Sequence, residues 1–558
     1  MSDASPLGAS LASRSDASPE ATMPEAIPPE ATQARKVHLW GQEGASLASR
    51  SVDILFHGGK ILTMTGDLEP EALAVADGKI LAVGAKVDLE KLTDSSTKII
   101  NLEGSALLPG FNDAHVHVWK VGHLRTTMLD LREETTLEGV YKAVRTRADT
   151  LEPGQWLLGR GWNEAKLTDG APVKSGLDAA APNNPVVLTR TCAHIHAANS
   201  SALALSSITS ETVAPAGGDF DWKRGHVIET AYGLLQRAMP APTVADYERY
   251  ILAGLEYLKS LGVTSATDPA VDPVLLEAYR SLEAQNKLPI RVNILFIRRP
   301  DGGSETYPLP EKFNSSFLRV DSVKFFADGG LSGATAAVSI PFRNTEHLSH
   351  GVLRFETEEL FQLALEAHQA GFRIGTHAIG DRALDQILEV YERLEQHTPN
   401  GMKHRIEHFG LANKTHLAKA RALGVHVVPQ AIFLHELRTN FLQYVPEEFI
   451  ADCYNLRAMK DAGLNVALST DGPVVRELDP LEGIKAAILE PMVAGNNLTL
   501  EESLQGYTLN GATAQGDLEN RGTLSVGKQA DLVVITDPFT TKPEDWKLRK
   551  TFVAGIEN

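Results

Sequence analysis

Between Phe111 and Asp471, runs of β-forming residues alternate with helix-like stretches, and the number of those runs most limits the fold. The segment TVADYERYILAGLEYLKSLG shows one step in full. It has a capping box from Thr243 to Asp246, apolar residues at helical spacing and Gly262 as a stop, and it leads directly into VTSATD. Similar steps lead into RVNILF (291–296), SVKFFAD (322–328), FRIGTHA (372–378), HRIEHF (404–409), VHVVPQ (425–430) and NVALSTD (465–471). With FNDAHVHV first, the series has eight strands. Such alternation implies an α/β fold with a parallel sheet, and eight strands are the number that closes a (β/α)8, TIM-like barrel. A ninth run, PVVLTRTCAHIH, sits in a stretch of about 100 residues between the first two strands, far more than one crossover helix requires. It is read as part of an insertion after the first barrel strand, at about 152–242.

The flanks differ. VDILFHGGKILTM, ALAVADGKILAVG and KIINLEGSALLPG are short β-rich pieces with Gly-Gly, Asp-Gly and Glu-Gly at their bends, and GTLSVGKQADLVVIT returns at 522–536. The two chain ends are therefore expected to build one small composite β-sandwich, 52–110 with 515–558, beside a barrel spanning 111–514. Residues 1–51 are rich in Ala, Ser, Pro and Glu and repeat GASLASRS at 8–15 and 44–51, which reads as a disordered low-complexity tail. This tail lacks the apolar centre of a secretory signal, and its acidic residues argue against an organellar transit peptide.

Composition narrows the function classes. A formal net charge of -18 disfavours nucleic acid, because counterion release needs clustered Lys and Arg. No apolar run approaches a membrane span. Two cysteines, Cys192 and Cys453, are too few for a disulfide framework or a thiolate zinc site, so a cytoplasmic location is expected. A homodimer is compatible with the sequence, which does not specify one.

Barrel enzymes carry their chemistry at the C-terminal ends of the strands. Here strand one ends in His115 and His117, strand five in His377, strand six in His408 and strand eight in Asp471; Lys324 lies near the middle of strand four and Asp328 at its end. Histidines at i and i+2 on a strand face the same side. Four imidazoles and a carboxylate at one mouth suit zinc or a similar divalent ion. Water bound by such an ion ionises near neutral pH, and Asp471 is placed to take and return the proton. A lone HxH pair in a chain with 18 histidines is a weak signal; the full counted series is a strong one.

The motifs LLPGFNDAHVH, VKFFADGGLSGATAA, THAIGDRAL, HRIEHFG and LSTDGPV resemble the amidohydrolase superfamily, and within it the amidohydrolase-3 group that includes N-substituted formamide deformylase. The resemblance implies His115 and His117 as ligands of a first metal and His377 and His408 as ligands of a second. It makes Asp471 the catalytic group, both ligand and proton shuttle, with one or two ions in all. Lys324 sits where many binuclear members carry a carboxylated lysine bridging both metals; otherwise it must be neutral or turned away. The implied activity is hydrolysis of C-N bonds other than peptide bonds in a small-molecule linear amide, an N-acyl or N-formyl amine. Deamination of a heterocycle is the alternative, although such relatives usually use one metal and lack this lysine. A non-catalytic binding or regulatory protein is the third reading, against which the intact ligand set argues.

Within the insertion, CAHIHAANSSAL resembles the group's His-to-Asn-Ser segment. That matches His194 and Asn199 to substrate contacts from the lid side, with a structural hydrogen bond as the alternative. GRGWNE resembles a motif bordering the substrate cleft, which makes Trp162 a substrate contact or else core of the insertion. Asp328 is read as shaping the mouth or capping, Asp381 as a helix cap or a support of the ligands, and Arg405 as a carboxylate clamp unless strand alternation turns it away.

Overall fold

A computed structural model describes residues 38–39 and 51–558, apart from 67–68, 164–166, 192–194, 216–217, 230, 301–304 and 346–348. Of the expected tail, only His38–Leu39 and Ser51 fall among these, and His38 and Leu39 pair antiparallel with Val83 and Ala82. His194 lies outside the described residues.

The eight counted runs form β1 (Phe111–Asp113), β2 (Val263–Val271), β3 (Arg291–Ile297), β4 (Leu318–Phe326), β5 (Arg373–Ala378), β6 (Arg405–His408), β7 (His426–Val428) and β8 (Asn465–Val466). They are neighbours in chain order and every pair is parallel. The sheet curls so that its ends meet: Ala114 N–H donates to Leu468 O at 3.3 Å and Asp471 N–H to His115 O at 2.7 Å. This is the arrangement of a TIM-like α/β barrel. The capping box of Thr243 and Asp246 starts the helix Val244–Ser260. Against it lies the helix Val118–Thr126, whose N-cap is His117. The two cross at glycines: a Cβ on Gly122 would stand 1.7 Å from Tyr250 O, and one on Gly254 2.3 Å from Val118 O.

The ninth run joins a separate six-stranded sheet with its own core, where Val186–Arg190 lies between Leu157–Trp162 and Ile195–Ala198. At the chain ends are two five-stranded sheets. One carries Ile54–His57 and Ala72–Ala76, the other Ala106–Pro109, Leu532–Ile535 and Leu548–Val553. Phe56, Leu73 and Val75 from the first sheet share a buried cluster with Leu107, Leu532 and Phe552 from the second. Phe56 meets Phe552 edge-on at 5.1 Å between ring centres. The buried Arg291 of β3 donates to Asp531 at 2.5 and 2.9 Å, which ties the second sheet to the barrel. Among the described residues no helix is long and apolar enough to cross a membrane.

Candidate metal centre

His115 and His117 follow β1 immediately, and Asp471 stands five residues beyond β8. Asp113 staples the two segments. Its carboxylate accepts the His115 N–H at 3.1 Å, the Thr470 N–H at 3.1 Å and the Thr470 hydroxyl at 2.5 Å. Asp471 Oδ1 then lies 3.4 Å from both His115 Nε2 and His117 Nε2. These three buried residues each offer a ligand atom, all within 4.8 Å of one another.

The hydrogen bonds around the group set its protons. His115 Nδ1 is 2.5 Å from Glu407 Oε2. Arg405 holds Glu407 bidentately, Nε on Oε1 at 2.5 Å and Nη2 on Oε2 at 2.9 Å. Burial opposes the Glu407 charge, but the Arg405 guanidinium and the His115 contact keep its carboxyl below the usual carboxylate range. An ionised carboxylate only accepts, so the Nδ1 of His115 carries a proton and Nε2 is the ring nitrogen turned toward Asp471. Burial pushes His117 down to about 3, so it is neutral. Burial also opposes the Asp471 charge, yet the neighbouring imidazoles hold that carboxyl well below its ordinary value. Asp471 Oδ1 is buried without a hydrogen-bond partner among the described residues. An ionised oxygen facing two imidazoles in a buried site is a donor set that fits a divalent ion.

His408 extends the cluster, with ring centres 4.9 Å from His115 and 4.4 Å from His377. Gln430 donates through Nε2 to Val428 O and Ser469 Oγ, so its Oε1, 2.7 Å from His408 Nδ1, accepts from that imidazole. His408 Nε2 is thereby left with a lone pair, and burial pushes the imidazole down to about 4. Regular alternation would put His408 on the face opposite Glu407. A left-handed φ of +72° at His408, followed by +50° at Phe409, breaks the alternation at roughly 1–3 kcal/mol per residue. His377 lies beside His408, but its Nε2 is 3.1 Å from Gly329 O, and burial holds it well below its ordinary value. Lys324 is fully buried on β4, with Nζ 4.8 Å from the Phe326 ring centre.

Other sequence candidates are placed elsewhere. Trp162, expected at a substrate cleft, is 1% exposed in the insertion core and donates its indole N–H to Leu188 O at 2.8 Å. Asn199, expected to meet substrate, is 1% exposed and serves backbone groups. Its Oδ1 accepts from Val186 N and Ala202 N, and its Nδ2 donates to Asn184 O. In both, neighbouring backbone groups take the polar atoms, which is the arrangement of the structural alternatives given above. His196 stacks on Tyr232 at 3.6 Å. Arg405 is no substrate clamp, since Glu407 and Ala114 O, 2.6 Å from Nη2, occupy it. Asp328 accepts the Ala337, Ile379 and Gly380 N–H groups, and Asp381 that of Ser339, so both staple the loop after β4 to the start of the helix Asp381–His397. Sequence reasoning passed over Asp113, Glu407 and Gln430. Gln430 closes the run VHVVPQ and was detectable by the strand-end rule; Glu407 was detectable as the i+2 partner of Arg405.

A cavity of about 600 Å³ opens where Gly161, Asn163 and Thr191 of the insertion face Ile432 and Glu436 after β7 and Val474 and Arg476 after β8.

Comparison with known proteins places the chain in a family. The Amidohydro_3 model of the amidohydrolase family matches residues 98–556. The protein named "Putative amidohydrolase YtcJ" of Bacillus subtilis is 28% identical over 530 residues, covering 90% of this chain and 98% of that protein. The N-substituted formamide deformylase of Arthrobacter pascens is 27% identical over 520 residues, covering 87% and 94%. An uncharacterized metal-dependent hydrolase from Pyrococcus horikoshii superposes with a TM-score of 0.75 at 26% identity, covering 88% of this chain and 99% of that one. A second, from Pyrococcus furiosus, gives a TM-score of 0.73 at 26% identity, with coverage of 88% and 99%. The chain belongs to the amidohydrolase family.

Proposed function

We propose that the protein is a divalent-metal-dependent hydrolase of linear amides, cleaving the C-N bond of N-acyl or N-formyl amines. The observation that carries this reading is Asp471 Oδ1, buried and 3.4 Å from the Nε2 atoms of both His115 and His117. The similarity to an N-substituted formamide deformylase supports the bond type. His115, His117 and Asp471 would hold a first ion, zinc by its ligand preference, and His377 and His408 a second. Lys324 is the residue whose carboxylation would bridge them. On the same reading, 52–110 and 515–558 form one sandwich domain beside a barrel of 111–514.

When bound, the ion supplies Lewis acidity toward the substrate carbonyl and makes water acidic enough to ionise near neutral pH. Asp471, held ionised, accepts the proton of the attacking water and returns it to the leaving amine nitrogen. His117 and His408, kept neutral by burial, present lone pairs rather than competing positive charges. The 600 Å³ cavity falls within the size range of small-molecule sites, and its lining mixes apolar groups such as Ile432 and Leu437 with charged ones such as Arg132, Glu436, Arg476 and Glu477.

The test is turnover of a panel of N-formyl, N-acetyl and longer N-acyl amines by the zinc-loaded protein. His115→Ala is expected to abolish turnover, and Asp471→Asn to lower it roughly 10²–10⁴-fold. Undiminished turnover in His115→Ala, or a wild type that binds no divalent ion, overturns the reading.

A further inference from the structure

We propose that Arg405 and Glu407 are positioning residues for the metal site: as a buried ion pair on β6 they lock His115 in the tautomer that aims its Nε2 at Asp471, and so set how tightly the site holds its ion. The inference rests on the metal reading above and deepens it.

Both side chains are fully buried. Glu407 accepts three charge-assisted bonds, two from Arg405 and one from His115. Arg405 Nη2 also donates to Ala114 O at 2.6 Å, which fixes the backbone next to His115. The contact is long-range in the sheet: β6 pairs with β5 and β7, and β1 with β2, so the pair reaches from β6 to the segment after β1 by side chains alone. Stability is a weak reason for such a pair, since apolar residues of similar volume commonly replace a buried ion pair at no loss. Direction is the better reason. A carboxylate offers only acceptors, so it satisfies Arg405 and the His115 Nδ1–H together and leaves the proton on Nδ1. Outer carboxylates of this kind orient metal-binding histidines and raise their basicity.

Glu407→Gln separates the two roles with almost no change in volume. If the amide oxygen serves Arg405, its NH2 faces His115, Nδ1 must accept, and the imidazole proton moves to Nε2, where it points at Asp471. If the amide is reversed, Arg405 loses its acceptor. In either case zinc binding weakens, and the double variant, which buries no unpaired charge, separates that loss from any loss of stability.

The experiment measures Zn²⁺ affinity by competition with a chelating dye for wild type, Glu407→Gln and the double variant Arg405→Met with Glu407→Leu. Thermal unfolding of each metal-free protein runs alongside, and ¹⁵N-histidine NMR reads the His115 tautomer. The expected result is a 10–100-fold weaker Kd in both variants, with an unfolding midpoint near wild type in the double variant and a lowered one in Glu407→Gln, where Arg405 stays buried without its carboxylate, and His115 shifted away from its Nδ1–H form in Glu407→Gln. Should Glu407→Gln fail to fold, the double variant carries the same readout. Wild-type zinc affinity in a folded variant overturns the inference and leaves the metal reading intact. A wild type that binds no zinc overturns the metal reading itself.

Discussion

Replacing Gly122 with alanine sets two known effects against each other. Gly122 lies in the helix Val118–Thr126, where alanine is favoured over glycine by about 1 kcal/mol on propensity alone. The new Cβ would stand 1.7 Å from Tyr250 O, 2.6 Å from its carbonyl carbon and 2.8 Å from Gly254 N, all backbone of the facing helix. Contacts below 3.0 Å do not persist, so the helices must part by more than about 1 Å, and such overpacking costs roughly 1–3 kcal/mol. With backbone rather than a flexible side chain in the way, the clash wins, and a net loss of up to about 2 kcal/mol is expected. Because His117 is the N-cap of the same helix, the shift reaches a candidate metal ligand, and a displacement of about 1 Å can cost on the order of 10²-fold in turnover. Gly233 is the control. It lies in the helix Tyr232–Ala238 with nothing within 4 Å of its would-be Cβ, so Gly233→Ala should be neutral or stabilising by up to about 1 kcal/mol. Urea unfolding of both variants, with zinc affinity on each, checks the pair. A Gly122→Ala protein as stable as wild type would refute the close-crossing argument.

Two further outcomes concern stability. Buried His404 accepts the Ile374 N–H on Nδ1 and meets His368 Nδ1 through Nε2 at 3.0 Å; burial, with His368, Arg373 and Lys403 nearby, pushes it down to about 3. The unfolded chain therefore binds the extra proton first. Stability from this group is complete above its unfolded value near 6.5 and falls by about 1.4 kcal/mol per pH unit below it, until pH reaches about 3. His404→Asn should show a shallower acid slope in urea unfolding between pH 6.5 and 4.5, and an unchanged slope would count against the assignment. At the junction of barrel and terminal sheet, Asp531→Ala leaves Arg291 buried without its carboxylate and should cost about 3–5 kcal/mol, most of it recovered by Arg291→Met with Asp531→Leu. A single-variant loss under about 1 kcal/mol would show that the pair does not couple the two parts.

Alternation of β-forming and helical runs, read with the Thr243–Asp246 cap and the Gly262 stop, was enough to number all eight strands and to set His115, His117, His377, His408 and Asp471 at their ends. That information is local: period, cap and stop are properties of a few neighbouring residues. Which of those ends share an ion-sized space is not local. The tertiary structure draws His115, His117 and Asp471 together because the curling of the sheet brings the segment after β8 against that after β1, with Asp113 bonded to both. It likewise bonds Trp162 and Asn199 within their own insertion, through Leu188 O and the Val186, Asn184 and Ala202 backbone, an alternative that motif matching left open. Glu407, although detectable as the i+2 partner of Arg405, was passed over for a backbone reason. Its neighbour His408 faces the same cluster only because φ turns left-handed there, so two adjacent residues serve one site against the rule of alternation. Residue types and strand ends were thus legible in the chain. The pairing of each donor with its acceptor was decided by contacts across hundreds of residues, such as Glu407 with His115, that exist only once the parallel sheet has curled.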